Sequence, residues 1–251
     1  MLIIYGIHPV LEALKKRPKA FHRLFLAHEK GSEDYRHIIS TANALRIPAS
    51  SLPPKELSRL CGSEQHQGVV AEVEPLPLLA IEELITHWKK QDEKALFLIL
   101  DSIQDPQNFG SLIRTAYCCG ATGIIFPKDR SASITGAVAK ASSGAIEHIP
   151  LCRVVNIAAT VELLKKAGVW VVGTAPEAET NLYGFDFNLD VAVIIGAEGK
   201  GMRQLVTSKC DFCISIPMKG ELDSLNASVA GAVVLFEIMR QRQYKTEIAN
   251  R

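Results

Sequence analysis

The sequence predicts an α/β protein in which a small α/β domain precedes a larger domain built on a parallel β-sheet. From residue 96 onward, short apolar segments without polar alternation are separated by helical segments, which is the pattern of a parallel sheet covered on both faces. The proline-rich segment 75–78 interrupts regular structure between this part and an N-terminal block. We therefore predict domains at residues 1–74 and 96–246, joined by a linker at residues 75–95.

Hydrophobic periodicity predicts a compact α/β unit in the N-terminal block. Val10, Leu11 and Leu14 have the spacing of one helix face, and Pro48 follows the end of the next predicted helix. The predicted strands are 2–4, 23–27 and 69–73, and the predicted helices are 8–16, 35–45 and 54–60.

The second block is predicted to alternate strands and helices. The predicted strands are 96–100, 123–126, 169–173, 191–195 and 212–216, and the predicted helices are 109–119, 135–141, 156–167, 202–209 and 226–242. One further helix is predicted at 81–88, within the linker. Parallel sheets of this kind bind ligands at the carboxyl ends of their strands. The loops that follow Leu100, Ile195 and Ile216 are therefore the candidate functional site.

Composition excludes several classes of protein. Hydrophobic residues make up 47% and charged residues 22% of the chain, close to an ordinary globular protein. The apolar runs are too short to cross a bilayer, and the first residues lack the features of a signal peptide. A net charge of +1 does not by itself indicate a nucleic-acid partner. We expect a cytoplasmic protein without a membrane partner.

The six cysteines are expected to be free thiols. Cys210 and Cys213 have CxxC spacing, but a zinc ribbon requires a second such pair, which the sequence does not contain. We expect these two residues to be buried in a strand, and we predict no metal ion.

The first candidate loop, residues 101–108, leads into a predicted helix. Asn108 is expected to cap that helix, and Gly110 and Arg114 share one of its faces. Arg114 is the single charge within the otherwise apolar positions 112–117. Taken alone, this loop is explained more simply by a routine cap and a solvent-facing arginine.

The second candidate loop, residues 196–202, has the sequence GAEGKGM. Its glycines allow a ligand to approach the backbone closely, but its spacing matches neither the Walker loop nor the dinucleotide-binding pattern. Glu198 would repel a phosphate. A nucleoside that carries a positive charge and no phosphate, such as S-adenosylmethionine, fits better, although a plain glycine-rich turn also accounts for the loop.

The third candidate loop, residues 216–228, ends at the N-terminus of the last predicted helix. Ser224, Asn226 and Ser228 place polar groups against that helix end, where main-chain N–H groups are free to bind a ligand. Ordinary helix capping would account for one of these three residues.

Together, the three loops resemble the signature motifs of the SpoU/TrmH class of the SPOUT methyltransferases. The residues are Asn108-x-Gly110-x-x-x-Arg114, then 195–201 (IGAEGKG), then 216–230 (IPM…SLNASVA). The N-terminal segments 5–13 (YGIHPVLEA) and 66–71 (HQGVVA) resemble the RNA-binding domain of the bacterial 23S rRNA guanosine-2′-O-methyltransferase subgroup, and segment 139–145 (AKASSGA) is similar to another family segment.

The resemblance implies a fold and an activity that spacing alone does not give. The fold would be a SPOUT domain with a C-terminal trefoil knot, one of the rare exceptions to unknotted topology. The activity would be methyl transfer from S-adenosylmethionine to a ribose 2′-OH, of guanosine, in 23S rRNA. Two subunits would pack through their catalytic domains as a homodimer. Main-chain groups at Thr174, Gly196, Ile216 and Leu225 would hold the cofactor.

The resemblance also implies roles for individual side chains. Arg114 would be the main catalytic residue, either taking the 2′-OH proton or holding a substrate phosphate while it stabilises the developing alkoxide. Asn108 and Asn226 would orient the cofactor or the target ribose, and Ser224 would bond the target nucleotide. Glu198 would position these groups or Arg114.

In the N-terminal block, a group of basic side chains is expected to contact RNA phosphates, and a solvated helix end explains them equally well. They are Lys15, Lys16, Arg17, Lys19 and Arg23.

Three alternatives remain open at this point. The first is a tRNA ribose 2′-O-methyltransferase, which the separate N-terminal domain disfavours. The second is a non-catalytic RNA-binding protein on the same fold. The third is a dinucleotide-dependent enzyme, which the missing phosphate fingerprint disfavours.

Overall fold

The computed structural model describes residues 1–27, 32–220 and 224–249, with side chains up to residue 243. Two compact units are present, and each contains its own β-sheet. The first unit comprises Met1–Pro77 together with Ser133–His148, and the second comprises Leu78–Ala132 and the chain from Ile149 onward. The segment 133–148 therefore packs with the N-terminal unit, although the sequence pattern groups it with the second block.

The described residues form nine α-helices and eleven β-strands. The helices are α1 (Ile7–Lys16), α2 (Glu33–Ala44), α3 (Pro54–Cys61), α4 (Ile81–Lys89), α5 (Pro106–Cys118), α6 (Gly136–Ala141), α7 (Ile157–Lys166), α8 (Gln204–Thr207) and α9 (Ala227–Ala249). The strands are β1 (Leu2–Tyr5), β2 (Phe21–Leu26), β3 (Ala49–Ser51), β4 (Val69–Val73), β5 (Leu96–Asp101), β6 (Gly123–Pro127), β7 (Leu151–Val154), β8 (Trp170–Thr174), β9 (Thr180–Asn181), β10 (Val191–Gly196) and β11 (Phe212–Ser215). Every helix predicted from the sequence is present; β3, β7 and β9 were not predicted.

The first unit is built on a four-stranded sheet with the order β1-β4-β2-β3. Strand β4 lies antiparallel to both β1 and β2, and β3 lies parallel to β2. Tyr5, Phe25, Leu57 and Val70 form part of its buried core. The segment 133–148 packs closely in this unit: a Cβ atom on Gly136 would lie 2.4 Å from the carbonyl oxygen of Ile3.

The second unit contains a seven-stranded sheet with the order β7-β6-β5-β10-β8-β11-β9, in which all strands are parallel. Every residue of the central strands β5 and β10 is buried, because helices cover both faces. Ile194 packs in the cluster with α4 and α7, whereas its neighbour Ile195 faces Gly231 of α9. The predicted α/β class with a parallel sheet is therefore confirmed, and the trefoil knot stays a prediction.

The cysteines differ in part from expectation. Cys213 lies in β11, but Cys210 precedes that strand, and both side chains are only partly buried. Burial nevertheless raises the pKa of Cys210 to about 12 and also raises the pKa of Cys213, so both thiols stay protonated near neutral pH. In the described parts of the chain, no group of three or more His, Cys, Asp or Glu is placed to hold a metal ion.

Among the helices that the structure describes, none combines the length and the apolar character needed to cross a membrane.

Candidate functional site

The three candidate loops start from neighbouring strands of the parallel sheet. Gly196 at the end of β10 pairs with Asp101 at the end of β5, and Thr174 at the end of β8 pairs with Ile214 of β11. Because all these strands run in the same direction, the first, second and third loops leave the same edge of the sheet. Residues 221–223 of the third loop lie outside the described residues.

A side-chain hydrogen bond joins the second loop to the third. Asn226 Nδ2 donates to Glu198 Oε2 at 3.2 Å. The other side-chain atom of Asn226, Oδ1, accepts hydrogen bonds from the main-chain N–H groups of Ser228 (2.9 Å) and Val229 (3.3 Å) and from the Ser228 hydroxyl (2.6 Å). Asn226 therefore caps α9 and also reaches Glu198, which brings two of the predicted site residues together. Ser224 is exposed.

The first loop caps its helix differently from the prediction. Helix α5 begins at Pro106, and Asp105 Oδ2 accepts a hydrogen bond from the main-chain N–H of Asn108 at 2.9 Å. Asn108 is therefore not the N-cap, because it already lies within the first turn of the helix. Proline is favoured at the first helical position, since its missing N–H would have no partner there. The half-buried Asn108 side chain consequently faces a ligand-sized cleft instead of closing the helix.

A cleft of about 560 Å³ lies between the first and second loops. This volume is in the range of small-molecule sites. The cleft is lined by Ser102, Ile103, Gln104, Asp105, Asn108, Arg130, Ala197, Glu198, Lys200, Gly201, Met202, Arg203 and Ala227. Two predicted site residues, Asn108 and Glu198, therefore line one cleft together with Ala227 at the start of α9.

Arg114 lies on an exposed face of α5 and does not line this cleft. It follows Asn108 by six residues, so the two residues are separated by about 9 Å along the helix axis and about 120° around it. Gly110, one turn before Arg114, is buried. The structure therefore brings Asn108, Glu198 and Asn226 together and places Arg114 on a different side of the helix.

The four residues predicted to hold a cofactor follow the strand ends. Thr174 and Gly196 end β8 and β10, Ile216 directly follows β11, and Leu225 precedes Asn226. The Thr174 hydroxyl donates to the carbonyl of Ile194 at 3.0 Å, so its side chain is engaged within the sheet. None of these four residues lines the cleft between the first and second loops.

Gly196 is required by the path of the second loop. The loop folds back on itself through hydrogen bonds between the main chains of Ala197 and Gly201, at 3.0 and 2.8 Å. A Cβ atom at position 196 would lie 2.2 Å from the carbonyl carbon of Gly201 and 2.3 Å from the nitrogen of Met202. Only glycine leaves room for this close return of the backbone.

Sequence reasoning missed an ion pair at the edge of the cleft. Asp101 is fully buried, and its carboxylate accepts hydrogen bonds from the main-chain N–H of Arg203 (2.8 Å) and from Arg203 Nε (2.7 Å). The available signal was an acidic residue at the end of an otherwise apolar strand, since a buried carboxylate requires a partner. The sequence does not reveal which cation supplies that partner.

The basic residues of the N-terminal unit fall into two groups. Arg17 is mostly buried; it forms an ion pair with Glu147, whose side chain is 1% exposed, and donates to the carbonyl of Glu74 at 2.7 Å. Lys15 bonds to Glu12 at 2.8 Å. These contacts give Arg17 a structural role.

The second group remains available to a ligand. Lys16, Lys19 and Arg23 are exposed, and the Arg23 guanidinium lies 5.8 Å from the ring centroid of Phe25. A guanidinium over an aromatic ring gains a modest cation–π attraction that limits its freedom.

Two family models match the chain. The model for the SpoU rRNA Methylase family matches residues 95–236, and the model for RNA 2′-O ribose methyltransferase substrate binding matches residues 3–79. The first match covers more than half of the chain.

Relatives and solved structures agree with these matches. A Bacillus subtilis protein assigned to the TrmH family of tRNA/rRNA methyltransferases is 42% identical, with 95% of each chain covered. The 23S rRNA (guanosine-2′-O-)-methyltransferase RlmB of Coxiella burnetii is 40% identical, with 96% of each chain covered. The SpoU methyltransferase AviRb from Streptomyces viridochromogenes, solved in complex with AdoMet, is similar with a TM-score of 0.80 and 27% identity, over 96% of this chain and 90% of that one. With the motif loops gathered at one sheet edge, this chain belongs to the SpoU rRNA methylase family.

Proposed function

We propose that this protein transfers a methyl group from S-adenosylmethionine to the ribose 2′-OH of a guanosine in 23S rRNA. The observation that carries the proposal is the hydrogen bond between Asn226 and Glu198, which joins two of the motif loops beside a cleft that also contains Asn108. The substrate is suggested by relatives such as RlmB of Coxiella burnetii. Because the proposed substrate is ribosomal RNA, the proposed site of action is the cytoplasm.

The donor groups at the strand ends suit S-adenosylmethionine. Main-chain groups at Thr174, Gly196, Ile216 and Leu225 would hold its adenosine, and the half-buried side chains of Ile216 and Leu225 offer apolar surface to a base. The Glu198 carboxylate in the second loop favours a ligand group that carries a positive charge, such as a sulfonium. When bound, this cofactor supplies a methyl group already activated by its sulfonium, so the proposed reaction requires no metal ion.

The chain's own residues would position the 2′-hydroxyl. Asn108 and Asn226 carry amide groups that can orient a ribose, and Glu198 holds the amide of Asn226 in place. Ser224 is exposed near the start of α9, where it could bond the target nucleotide. Holding the reactants in line can lower the barrier by up to about 7–11 kcal/mol.

Arg114 is the proposed catalytic residue. A guanidinium stays protonated near neutral pH, which makes it a poor proton acceptor and a good partner for anions. Its better-supported role is therefore to hold a substrate phosphate and to stabilise the developing alkoxide, and the alternative role is to take the 2′-OH proton.

A homodimer through the second unit is proposed from the apolar side chains that α5 and α9 expose. Tyr117 is 44%, Val229 is 48% and Phe236 is 49% exposed, and α5 packs against α9. Val229 and Phe236 are seven residues apart and so share one helix face, while Arg114 lies beside Tyr117, three residues later. We expect a second copy docked on these apolar side chains to contact the face of α5 that carries Arg114.

In the N-terminal unit, Lys16, Lys19 and Arg23 are the proposed contacts to RNA phosphates. Their side chains are exposed, whereas Arg17 and Lys15 already bond to carboxylates of their own unit. Replacing all three exposed residues with alanine should weaken RNA binding and leave S-adenosylmethionine binding unchanged.

The test of the proposed function is a methyl-transfer assay. The protein would be incubated with methyl-labelled S-adenosylmethionine and, in separate reactions, with an unmethylated 23S rRNA transcript or a tRNA transcript. The expected result is label in 23S rRNA at one guanosine whose 3′ linkage resists alkaline hydrolysis, since methylation blocks the 2′-oxygen. Label only in tRNA would establish the tRNA alternative, and absence of cofactor binding by calorimetry would support a non-catalytic RNA-binding protein.

A further inference from the structure

Asp101 is a buried carboxylate that forms an ion pair with Arg203. Its two oxygens accept hydrogen bonds from the main-chain N–H and from Nε of Arg203, at 2.8 and 2.7 Å, and the Ser102 hydroxyl adds a third at 3.2 Å. An ion is stable in a protein interior only when it is paired in this way. The pair therefore fixes the chain directly after the second loop to the end of β5.

Arg203 keeps two nitrogen atoms available. Its Nη1 and Nη2 donate to no residue in the part of the chain that the structure describes, its side chain is 38% exposed, and it lines the cleft between the first and second loops. The terminal N–H groups of a guanidinium match two oxygens of a phosphate. Because Asp101 already fixes the orientation of this side chain, a ligand would lose little affinity in ordering it.

Two further cations line the same cleft. Arg130 follows β6 and Lys200 lies in the second loop; both are exposed, and neither forms an ion pair with a described residue. The two carboxylates in the cleft wall are engaged: Asp105 accepts a main-chain hydrogen bond at 2.9 Å, and Glu198 accepts one from Asn226 at 3.2 Å. Three cations therefore line the cleft against two carboxylates, and these cations offset the repulsion expected between Glu198 and a phosphate.

We propose that this cleft binds a phosphodiester of the substrate RNA beside the methylated nucleotide. Arg203 binds the phosphate with a side chain whose orientation is already fixed, and Arg130 and Lys200 are additional phosphate contacts. Asp101 is a positioning residue that acts through Arg203. This inference rests on the proposed function, because the RNA is the substrate of that reaction. Phosphate contacts fix register and orientation without reading base identity, so the cleft sets which ribose reaches the site.

The test uses the full-length protein and an unmethylated 23S rRNA transcript. Arg203→Ala, Arg130→Ala and Lys200→Ala are each compared with the unsubstituted protein for RNA affinity at several salt concentrations. Each substitution should weaken binding by about tenfold at low salt and reduce the slope of log K against log salt by about 0.7–0.9. The KM for RNA should rise with little change in kcat. Lys166→Ala, which removes an equal charge from the exposed end of α7, should change neither quantity.

Asp101 is tested by a double-mutant cycle. Asp101→Asn keeps the shape of the side chain but removes the charge that orients Arg203. If Asp101 acts through Arg203, the double variant Asp101→Asn, Arg203→Ala should bind RNA no more weakly than Arg203→Ala alone. Arg203→Lys retains the charge without the planar fork and should recover only part of the affinity. Thermal unfolding and S-adenosylmethionine binding verify that each variant folds.

Unchanged RNA affinity, salt dependence and KM in the three cleft variants would overturn the proposal. Additive losses in the cycle would overturn the positioning role of Asp101. If Asp101→Asn or Arg203→Ala does not fold, the variants of the exposed residues Arg130 and Lys200 still decide the phosphate site. Failure of the proposed function gives a different result, because the unsubstituted protein would then not bind S-adenosylmethionine or not methylate RNA.

Discussion

Replacing Gly196 with alanine should open the second loop. The new Cβ atom would lie 2.2 Å from the carbonyl carbon of Gly201 and 2.3 Å from the nitrogen of Met202, both main-chain atoms that cannot rotate away. The backbone there would have to retreat by about 1 Å to restore ordinary contact. That displacement breaks the two main-chain hydrogen bonds between Ala197 and Gly201.

The expected cost follows from these bonds. Two hydrogen bonds at about 0.5–1.5 kcal/mol each give a loss of about 1–3 kcal/mol in the free energy of unfolding. For a chain of this length, that corresponds to a fall in Tm of about 2–4 °C for each kcal/mol. Moving the second loop also separates Glu198 from Asn226, so the affinity for S-adenosylmethionine should fall by more than the affinity for RNA.

Calorimetry with S-adenosylmethionine and thermal unfolding measure the two effects. Gly184→Ala is the matched control, because a Cβ atom there meets nothing within 4 Å and its backbone does not require glycine. If Gly196→Ala had the same Tm and the same affinity for S-adenosylmethionine as the control, this prediction would be refuted. The close backbone contact at position 196 would then contribute neither to stability nor to cofactor binding.

Four other substitutions or measurements test separate parts of the site. Arg114→Lys loses the planar fork and should lower kcat by about 100-fold while leaving cofactor binding intact; near-normal turnover would remove Arg114 from the mechanism. Asn226→Ala removes the cap of α9 and should lower the free energy of unfolding by about 0.5–2 kcal/mol, measured by urea unfolding, together with methyl transfer; an unchanged urea midpoint would contradict the capping role. Phe236→Glu places a charge on the exposed apolar face and should shift sedimentation from dimer to monomer, whereas an unaltered dimer would place the interface elsewhere. A thiol reagent at pH 8 should modify the exposed Cys118 well before Cys210, because burial raises the pKa of Cys210 to about 12; equal rates by mass spectrometry would contradict that burial.

The strands predicted best are those in which the residues on both faces are buried. The segment that forms β10 is an unbroken apolar run, and every residue of that strand is buried. By contrast, the residues of β3 and β9 are exposed, so the hydrophobic pattern of the sequence does not indicate these two strands. Both strands are held by main-chain pairing to one neighbour at the edge of a sheet, and that pairing depends on tertiary structure rather than on side-chain polarity.

The candidate site was predictable where the signal is local. The start of α5 could have been placed correctly, since Asp105 followed by Pro106 is a stronger initiation signal than Asn108. Ion pairs between distant residues could not be predicted from the sequence. Asp101 and Arg203 are 102 residues apart, and Arg17 and Glu147 are 130 residues apart. Periodicity and capping report the conformation of neighbouring residues, whereas these ion pairs depend on how separate segments meet.

The position of Arg114 bears on how many subunits one active site needs. Asn108 and Arg114 lie on the same rigid helix, about 9 Å apart along its axis and about 120° apart around it, so their side chains diverge. Asn108 shares a cleft with Glu198, whereas Arg114 lies next to Tyr117 on the exposed side of α5. If Asn108 and Arg114 act on one ribose, the proposed homodimer would bring them together by supplying one of them from the second copy. Tyr117, exposed one turn after Arg114, belongs to the surface on which that copy would dock, so loss of the dimer in Phe236→Glu should also lower methyl transfer.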